Sequence, residues 1–189
     1  MRNLTLATLI TLAALPAAAS EYTPAMQSYL ENNIRNWVQS PVLVEAIASQ
    51  NSQTQGFDQA AIDAMDTRWR AEVGTPDSAF TDQVLNNSAA DFLREQVEKS
   101  GGRITEVFIM DAQGLNVAAS SPTSDMWQGD EAKFQMTYRV GADASHFGEV
   151  ELDESSRRYQ AQISLTIVDP DTGAAIGAMT VGIDAEALM

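Results

Sequence analysis

Residues 104–120 read ITEVFIMDAQGLNVAAS. Ile104 to Met110 is rich in branched and apolar residues, which is typical of a buried strand. The tetrapeptide Asp111-Ala112-Gln113-Gly114 has the composition of a tight turn. Leu115 to Ala119 is apolar again and reads as a returning strand. The stretch therefore predicts a β-hairpin.

Three further strands are predicted downstream of this hairpin, over Glu149–Glu154, Arg158–Val168 and Ala174–Ile183, and Asp169–Gly173 joins the last two as a turn. Side chains along a strand alternate between the two faces of a sheet. The last two strands therefore have an apolar face that can pack on helices, and a small, polar face that either is solvated or lines a ligand cavity. The predicted apolar face carries Tyr159, Ala161, Ile163, Leu165, Ile167, Met179, Val181 and Ile183.

The residues before the hairpin have a helical pattern, with apolar side chains every three or four positions. Thr23-Pro24 is a good helix start, Pro41 kinks or interrupts the helix, and Asp58 and Ser88 are candidate N-caps. Gly101-Gly102 ends the last helix. We therefore predict one α+β domain over residues 20–189, with a helical part at 20–100 and an antiparallel sheet part at 103–184.

Residues 1–19 have the character of a signal peptide. A short positive start precedes an apolar run from Leu4 to Leu15, and Ala17-x-Ala19 suits signal peptidase. The alternative is a retained N-terminal anchor, but the run is shorter than the roughly 20 residues that a spanning helix needs. We expect cleavage before Ser20 and a periplasmic or secreted protein.

The composition excludes several classes of function. The chain has 189 residues, 44% of them hydrophobic, and a formal net charge of -15. That charge argues against nucleic-acid partners and anionic lipid. With no cysteine and one histidine, thiolate zinc sites, iron–sulfur clusters and cysteine nucleophiles are excluded. No nucleophile elbow, phosphate loop or zinc motif is present, so we expect no enzyme, no catalytic residue, no metal and no cofactor.

Residues 104–134 and the end of the chain carry a family resemblance. The hairpin 104–120, the segment Ser124–Phe134 and the closing stretches Gln162–Asp169 and Gly173–Ile183 resemble the Cache (PDC) sensor domains, which are extracytoplasmic and PAS-like. Further upstream, Val42–Ile47 with Gln50-Asn51, and then Asp66 and Trp69, resemble the long N-terminal helix of these domains and its return. Each motif is loose, and their order and spacing carry the resemblance.

The resemblance implies a five-stranded antiparallel sheet with long N-terminal helices on one face and a small-molecule pocket on the other. Such domains sense amino acids, carboxylates or other metabolites, usually as input domains of membrane receptors, histidine kinases or cyclic-dinucleotide enzymes. Here the chain stops at Met189, soon after the last strand. We therefore expect a module that passes its ligand state to a separate membrane-bound receptor, kinase or cyclase.

Seven residues are candidate ligand contacts. Trp127 offers a flat apolar wall and one donor, or is ordinary core. Lys133 can pair with a ligand carboxylate, or with Asp130 or Glu131 on a helix surface. Asp125 can accept a ligand ammonium or cap the helix. The other four are hydroxyls of the loop and polar groups of the sheet face: Ser121, Ser124, Gln162 and Ser164.

Two alternatives stay open at this stage. Glu149, Glu151 and Asp153 alternate along the predicted third strand, where they either bind a hard cation or keep an edge strand from aggregating. The chain as a whole is either a ligand sensor or a ligand-free interaction module. In the second case the helical half would dimerise or dock on a receptor through the stripe that contains Ile34, Trp37 and Val38.

Overall fold

The computed structural model describes residues 21–76, 78–152 and 158–189. The predicted signal peptide lies outside the described residues, as do Asp153 and Glu154. No helix within the described ranges has the length and apolar character that crossing a bilayer requires.

Five helices precede the sheet. They are α1 (Thr23–Tyr29), which continues into a π-helical turn at Leu30–Ile34, α2 (Pro41–Thr54), α3 (Gln59–Glu72), α4 (Ala79–Leu85) and α5 (Ser88–Lys99). Pro41 starts α2 at the position where its missing N–H costs nothing. The Asp58 carboxylate accepts from the Ala61 N–H and caps α3, as predicted. The predicted Ser88 cap is wrong, because Asn87 caps α5 through the Ala90 N–H.

The sheet is antiparallel and confirms the predicted α+β class. Its strands are β1 (Ile104–Met110), β2 (Asn116–Ala119), β3 (Ser145–Phe147), β4 (Glu151–Leu152), β5 (Tyr159–Val168) and β6 (Ala175–Asp184). The order across the sheet is β2-β1-β6-β5-β3, and β4 also pairs with β5. Within the described residues, the predicted third strand at Glu149–Glu154 is present only as β4, and the additional short strand β3 pairs with the same edge of β5. A short helix, α6 (Ala132–Gln135), lies between β2 and β3.

The first core lies between one face of the sheet and helices α1, α2 and α5. Met26, Ile34, Leu43, Ile47 and Leu93 pack there and are fully buried. The inward side chains of β5 and β6 meet them as the alternation predicted: Ala161, Ile163, Leu165, Ile167, Met179, Val181 and Ile183. Tyr159, the first residue of β5, is 63% exposed and lies outside this core.

A second core covers part of the opposite face. Trp69 of α3 and Phe80 of α4 pack there with Phe108, Met110 and Phe134. Helices α1, α2 and α5 thus lie on one face as predicted, whereas α3 and α4 pack in the second core. The stripe proposed for dimerisation is also unavailable, because Ile34 and Val38 are 0% and 3% exposed within the first core.

Candidate functional site

A cavity of about 520 Å³ lies on the face of the sheet opposite to α1, α2 and α5. This volume is within the range of small-molecule pockets. The second core covers another part of this face, and the cavity lies near the start of β5. It is lined by Glu106, Phe108, Thr123, Ser124, Gln128, Glu131, Ala132, Lys133, His146, Gly148, Glu149, Glu151, Leu152, Gln160 and Gln162.

The sheet floor of the cavity is a polar network. Gln160 is 4% exposed, and its amide nitrogen donates to Glu106 Oε1 at 3.0 Å. Its amide oxygen accepts from the Thr105 hydroxyl. A Cβ atom on Gly182, which lies between these residues on β6, would come within 2.4 Å of Thr105 Oγ1. Because Gly182 has no side chain, Glu106 and Gln160 have room to form their hydrogen bond next to it.

Lys133 forms the cationic part of the cavity. Its ammonium lies 2.9 Å from Glu131 Oε2 and 3.2 Å from Gln128 Oε1, and 5.4 Å from the centre of the Phe108 ring. Its side chain is 15% exposed, so these contacts compensate much of the desolvation of the charge. A ligand carboxylate would have to compete with Glu131 for this ammonium.

Carboxylates outnumber cations among the described lining residues. Glu106, Glu131, Glu149 and Glu151 face a single lysine. His146 also lines the cavity, and burial lowers its pKa below the usual 6.5, so it is neutral at pH 7. The cavity therefore has an anionic field that attracts cations and disfavours free anions.

The predicted site residues separate into two groups. Ser124, Lys133 and Gln162 line the cavity. Trp127, Asp125, Ser121 and Ser164 do not line it. As ligand contacts, all seven residues stay predictions.

The four residues outside the cavity have structural contacts of their own or lie on the loop. The Trp127 indole donates to the Gln113 carbonyl at 2.9 Å, and Asp125 forms an ion pair with Arg70 at 2.8 Å. Ser164 is fully buried and shares a hydrogen bond with Thr180 at 3.0 Å. Ser121 is half-buried on the loop that follows β2.

Sequence reasoning missed Glu106, Gln128, Glu131, His146 and Gln160. Glu106 had a recognisable signal, because it is the one acid in the apolar strand β1 and shares a face with Phe108. Gln160 lies on the polar face of β5, but its link to Glu106 requires the strand order. Within the described part of the chain, no three His, Asp or Glu side chains are grouped as a metal ion would require.

No protein-family model and no curated protein matches this chain. Several solved structures do. The sensory domain of the Campylobacter jejuni chemoreceptor Tlp3 with isoleucine bound matches at 14% identity and a TM-score of 0.45, covering 88% of this chain and 64% of that one. The sensor domain of the V. cholerae histidine kinase DctB matches at 13% identity and a TM-score of 0.36, covering 77% and 57%.

The chain spans less than two thirds of the length of these matched chains. The matched Tlp3 and DctB chains are sensory or ligand-binding domains. Identities and TM-scores at this level transfer neither a ligand nor a partner. The function of the cavity therefore has to be argued from its own residues.

Proposed function

We propose that this chain is an exported sensor module whose cavity binds a small metabolite carrying an ammonium group. The observation that carries the proposal is the lining itself, which contains four carboxylates and one lysine that is already paired with Glu131. A ligand ammonium gains charge-assisted hydrogen bonds from such carboxylates. The polar amides of Gln160 and Gln162 supply further acceptors.

The proposed module acts by changing its conformational populations when the cavity is occupied, and a membrane-bound receptor, kinase or cyclase reads the change. The cavity wall includes Gln128 and Lys133, which come from the loop and helix between β2 and β3. A ligand that contacts these residues would link the loop and helix between β2 and β3 to the sheet floor. We therefore expect a bound ligand to change the surface of the protein at this loop and helix.

A panel of small ligands tests the proposal. Ethanolamine, 1,4-diaminobutane and L-lysine are compared with acetate and succinate in thermal-shift assays of the mature protein. We expect at least one amine to raise the midpoint and the two carboxylates to leave it unchanged. Glu106→Gln should weaken binding of that amine about tenfold, since hydrogen bonds to charged groups contribute about 1.5–3 kcal/mol.

The matched control for Glu106→Gln is Glu45→Gln, which removes the same charge from the exposed surface of α2. It should leave the affinity within about twofold, because solvent and salt screen a distant exposed charge. Stabilisation by acetate or succinate alone would count against an ammonium site. Equal losses of amine affinity in Glu106→Gln and Glu45→Gln would also count against it.

Binding of an amine should also weaken in mild acid. Burial holds the pKa of His146 below 6.5, so the imidazole gains its proton only as the pH falls beneath that value. The protonated ring then adds a second cation to the cavity beside Lys133, opposing the carboxylates. We expect the affinity for a monoamine to fall about threefold through this titration, as for two like charges at an effective dielectric constant near that of water. Calorimetry between pH 7.5 and 5 measures it.

His146→Gln serves as the control for this pH effect, since it keeps a polar side chain in the wall without a titrating ring. Its affinity should be nearly flat from pH 7.5 down to the range in which carboxylates take up protons. A profile identical to that of the unmodified protein would assign the pH effect to another group.

A further inference from the structure

One wall of the cavity, formed by residues 123–128, is held by helix α3, which does not itself line the cavity. Thr123, Ser124 and Gln128 contribute to the lining, whereas no residue of α3 does. Yet Asp66 of α3 accepts two consecutive backbone N–H groups from this wall. Its Oδ1 atom lies 2.9 Å from the Met126 nitrogen and 3.2 Å from the Trp127 nitrogen.

Arg70 completes the connection between α3 and the wall. Its Nε atom is 2.8 Å from Asp66 Oδ2, and one terminal nitrogen is 2.8 Å from Asp125 Oδ1. The Asp66 and Asp125 side chains are 16% and 20% exposed. The hydrogen bond to Asp66 and the charge of Asp125 raise the pKa of Arg70, so the guanidinium stays charged. One arginine thus joins the carboxylate that holds the wall to a carboxylate within the wall.

Trp69 adds a third attachment from the same helix. It is fully buried, and its indole nitrogen donates to the Thr123 carbonyl at 2.8 Å. Asp66, Trp69 and Arg70 are three and four positions apart, so they lie on one side of α3. On the opposite side of the wall, β2 holds the same segment, because the Asn116 nitrogen donates to the Met126 carbonyl at 2.9 Å.

We propose that Asp66 is a positioning residue for the ligand site, which fixes the wall 123–128 so that Ser124 and Gln128 face the cavity. This inference rests on the proposed function, and it adds a residue of α3 that never touches the ligand. Asp66 accepts hydrogen bonds from the N–H groups of Met126 and Trp127, the two residues that come just before Gln128. The amide oxygen of Gln128 in turn accepts from Lys133. Release of these N–H groups would therefore shift both an acceptor of the wall and the lysine.

The test uses Asp66→Ala, Asp66→Asn and, as control, Asp63→Ala in the mature protein. Asparagine retains an oxygen for the two N–H groups and loses the charge that pairs with Arg70. Asp63 lies on the exposed side of the same helix, where its carboxylate accepts from the Gln59 amide. Each variant is titrated with ethanolamine, 1,4-diaminobutane and L-lysine well below its unfolding midpoint. Amide chemical shifts are recorded in the ligand-free state.

We expect Asp66→Ala to weaken amine binding about tenfold, the lower end of the 10–100-fold loss seen when residues that orient metal ligands are removed. Asp66→Asn should restore most of the affinity, and Asp63→Ala should change it by less than about twofold. In the free protein, amide shifts of Ser124, Gln128 and Lys133 should move in Asp66→Ala. A variant that only loosened the whole fold would lower the midpoint without this local pattern and without rescue by asparagine.

The outcomes separate the two levels of the proposal. If no amine binds the unmodified protein, the proposed function is overturned, whatever the variants do. If amines bind and Asp66→Ala retains full affinity, the positioning role is overturned and the function stands. If the wall shifts are unchanged in Asp66→Ala, the role of Asp66 in holding the wall is overturned without reference to any ligand.

Discussion

Replacing Asp111 with alanine is expected to lower the free energy of unfolding by about 3 kcal/mol or more. The carboxylate is fully buried in the turn between β1 and β2. One oxygen accepts from the Gln50 amide at 3.0 Å and the Thr54 hydroxyl at 2.8 Å. The other accepts from the backbone nitrogens of Gln113 and Leu115 at 2.9 and 3.0 Å. Alanine would remove the side-chain acceptor of the Gln113 and Leu115 N–H groups. It would also remove one of the acceptors of Gln50 and Thr54, which weakens the link between α2 and the hairpin.

Asp169 is the matched control, because it occupies the corresponding turn between β5 and β6. It too accepts from two backbone nitrogens, those of Asp171 and Thr172, and these contacts lower its pKa. This carboxylate is open to solvent, so water replaces it when it is removed. Urea unfolding should show a much smaller loss for Asp169→Ala than for Asp111→Ala. Equal losses would mean that the buried network around Asp111 contributes no more than a surface turn.

Gly177→Ala is expected to destabilise the protein by about 3 kcal/mol, at the upper end of what overpacking costs. A Cβ atom on Gly177 would lie 2.1 Å from the Met110 carbonyl oxygen and 3.0 Å from Ile47 Cγ2. The nearer atom belongs to the backbone of the neighbouring strand and cannot rotate away. Strand β6 would therefore have to separate from β1, next to the point where α2 packs on both.

Gly56→Ala is the control for this substitution, since nothing lies within 4 Å of its added Cβ and its φ is not positive. Its unfolding midpoint should be unchanged or slightly raised, because alanine restricts the unfolded chain more than glycine does. A Gly177→Ala variant as stable as Gly56→Ala would contradict the close approach of β6 to β1 and α2.

Much of the fold could be predicted from the sequence where the local pattern and the tertiary packing agree. Ala161, Ile163, Leu165 and Ile167 alternate strictly, and they fill the first core as expected. Asp58 caps its helix because the capping bond is local. The hairpin at residues 104–120 also forms, since its turn chemistry and both apolar runs favour the same structure.

There is a physical reason why the extent of the third strand could not be predicted. The alternation of Glu149, Val150, Glu151 and Leu152 favours one strand there, but the pairing with β5 is divided between Ser145–Phe147 and Glu151–Leu152. Gly148 lies between the two, and its nitrogen donates to the Gln162 carbonyl. Strands of two or three residues are set by their neighbour's backbone and leave little trace in side-chain periodicity.

The candidate site was predictable only in part, because it is made by strand order and by a helix distant in sequence. Lys133, Ser124 and Gln162 were found from the resemblance and from the polar face of the sheet. The contact of Gln160 with Glu106 requires β6 to lie between their strands, and Gly182 to leave room above it. Asp66 lies about 60 residues before the wall it holds, and no local pattern connects the two.

We expect the amine to bind in the cavity itself. Calorimetric titration of ethanolamine, 1,4-diaminobutane and L-lysine into the unmodified protein and into Gln162→Trp tests it most directly. Gln162 lies in the cavity lining, so an indole at this position fills space that a ligand needs. We expect one amine per chain for the unmodified protein, and at least about tenfold weaker binding in a folded Gln162→Trp variant. Equal binding of the amine by both proteins would contradict it.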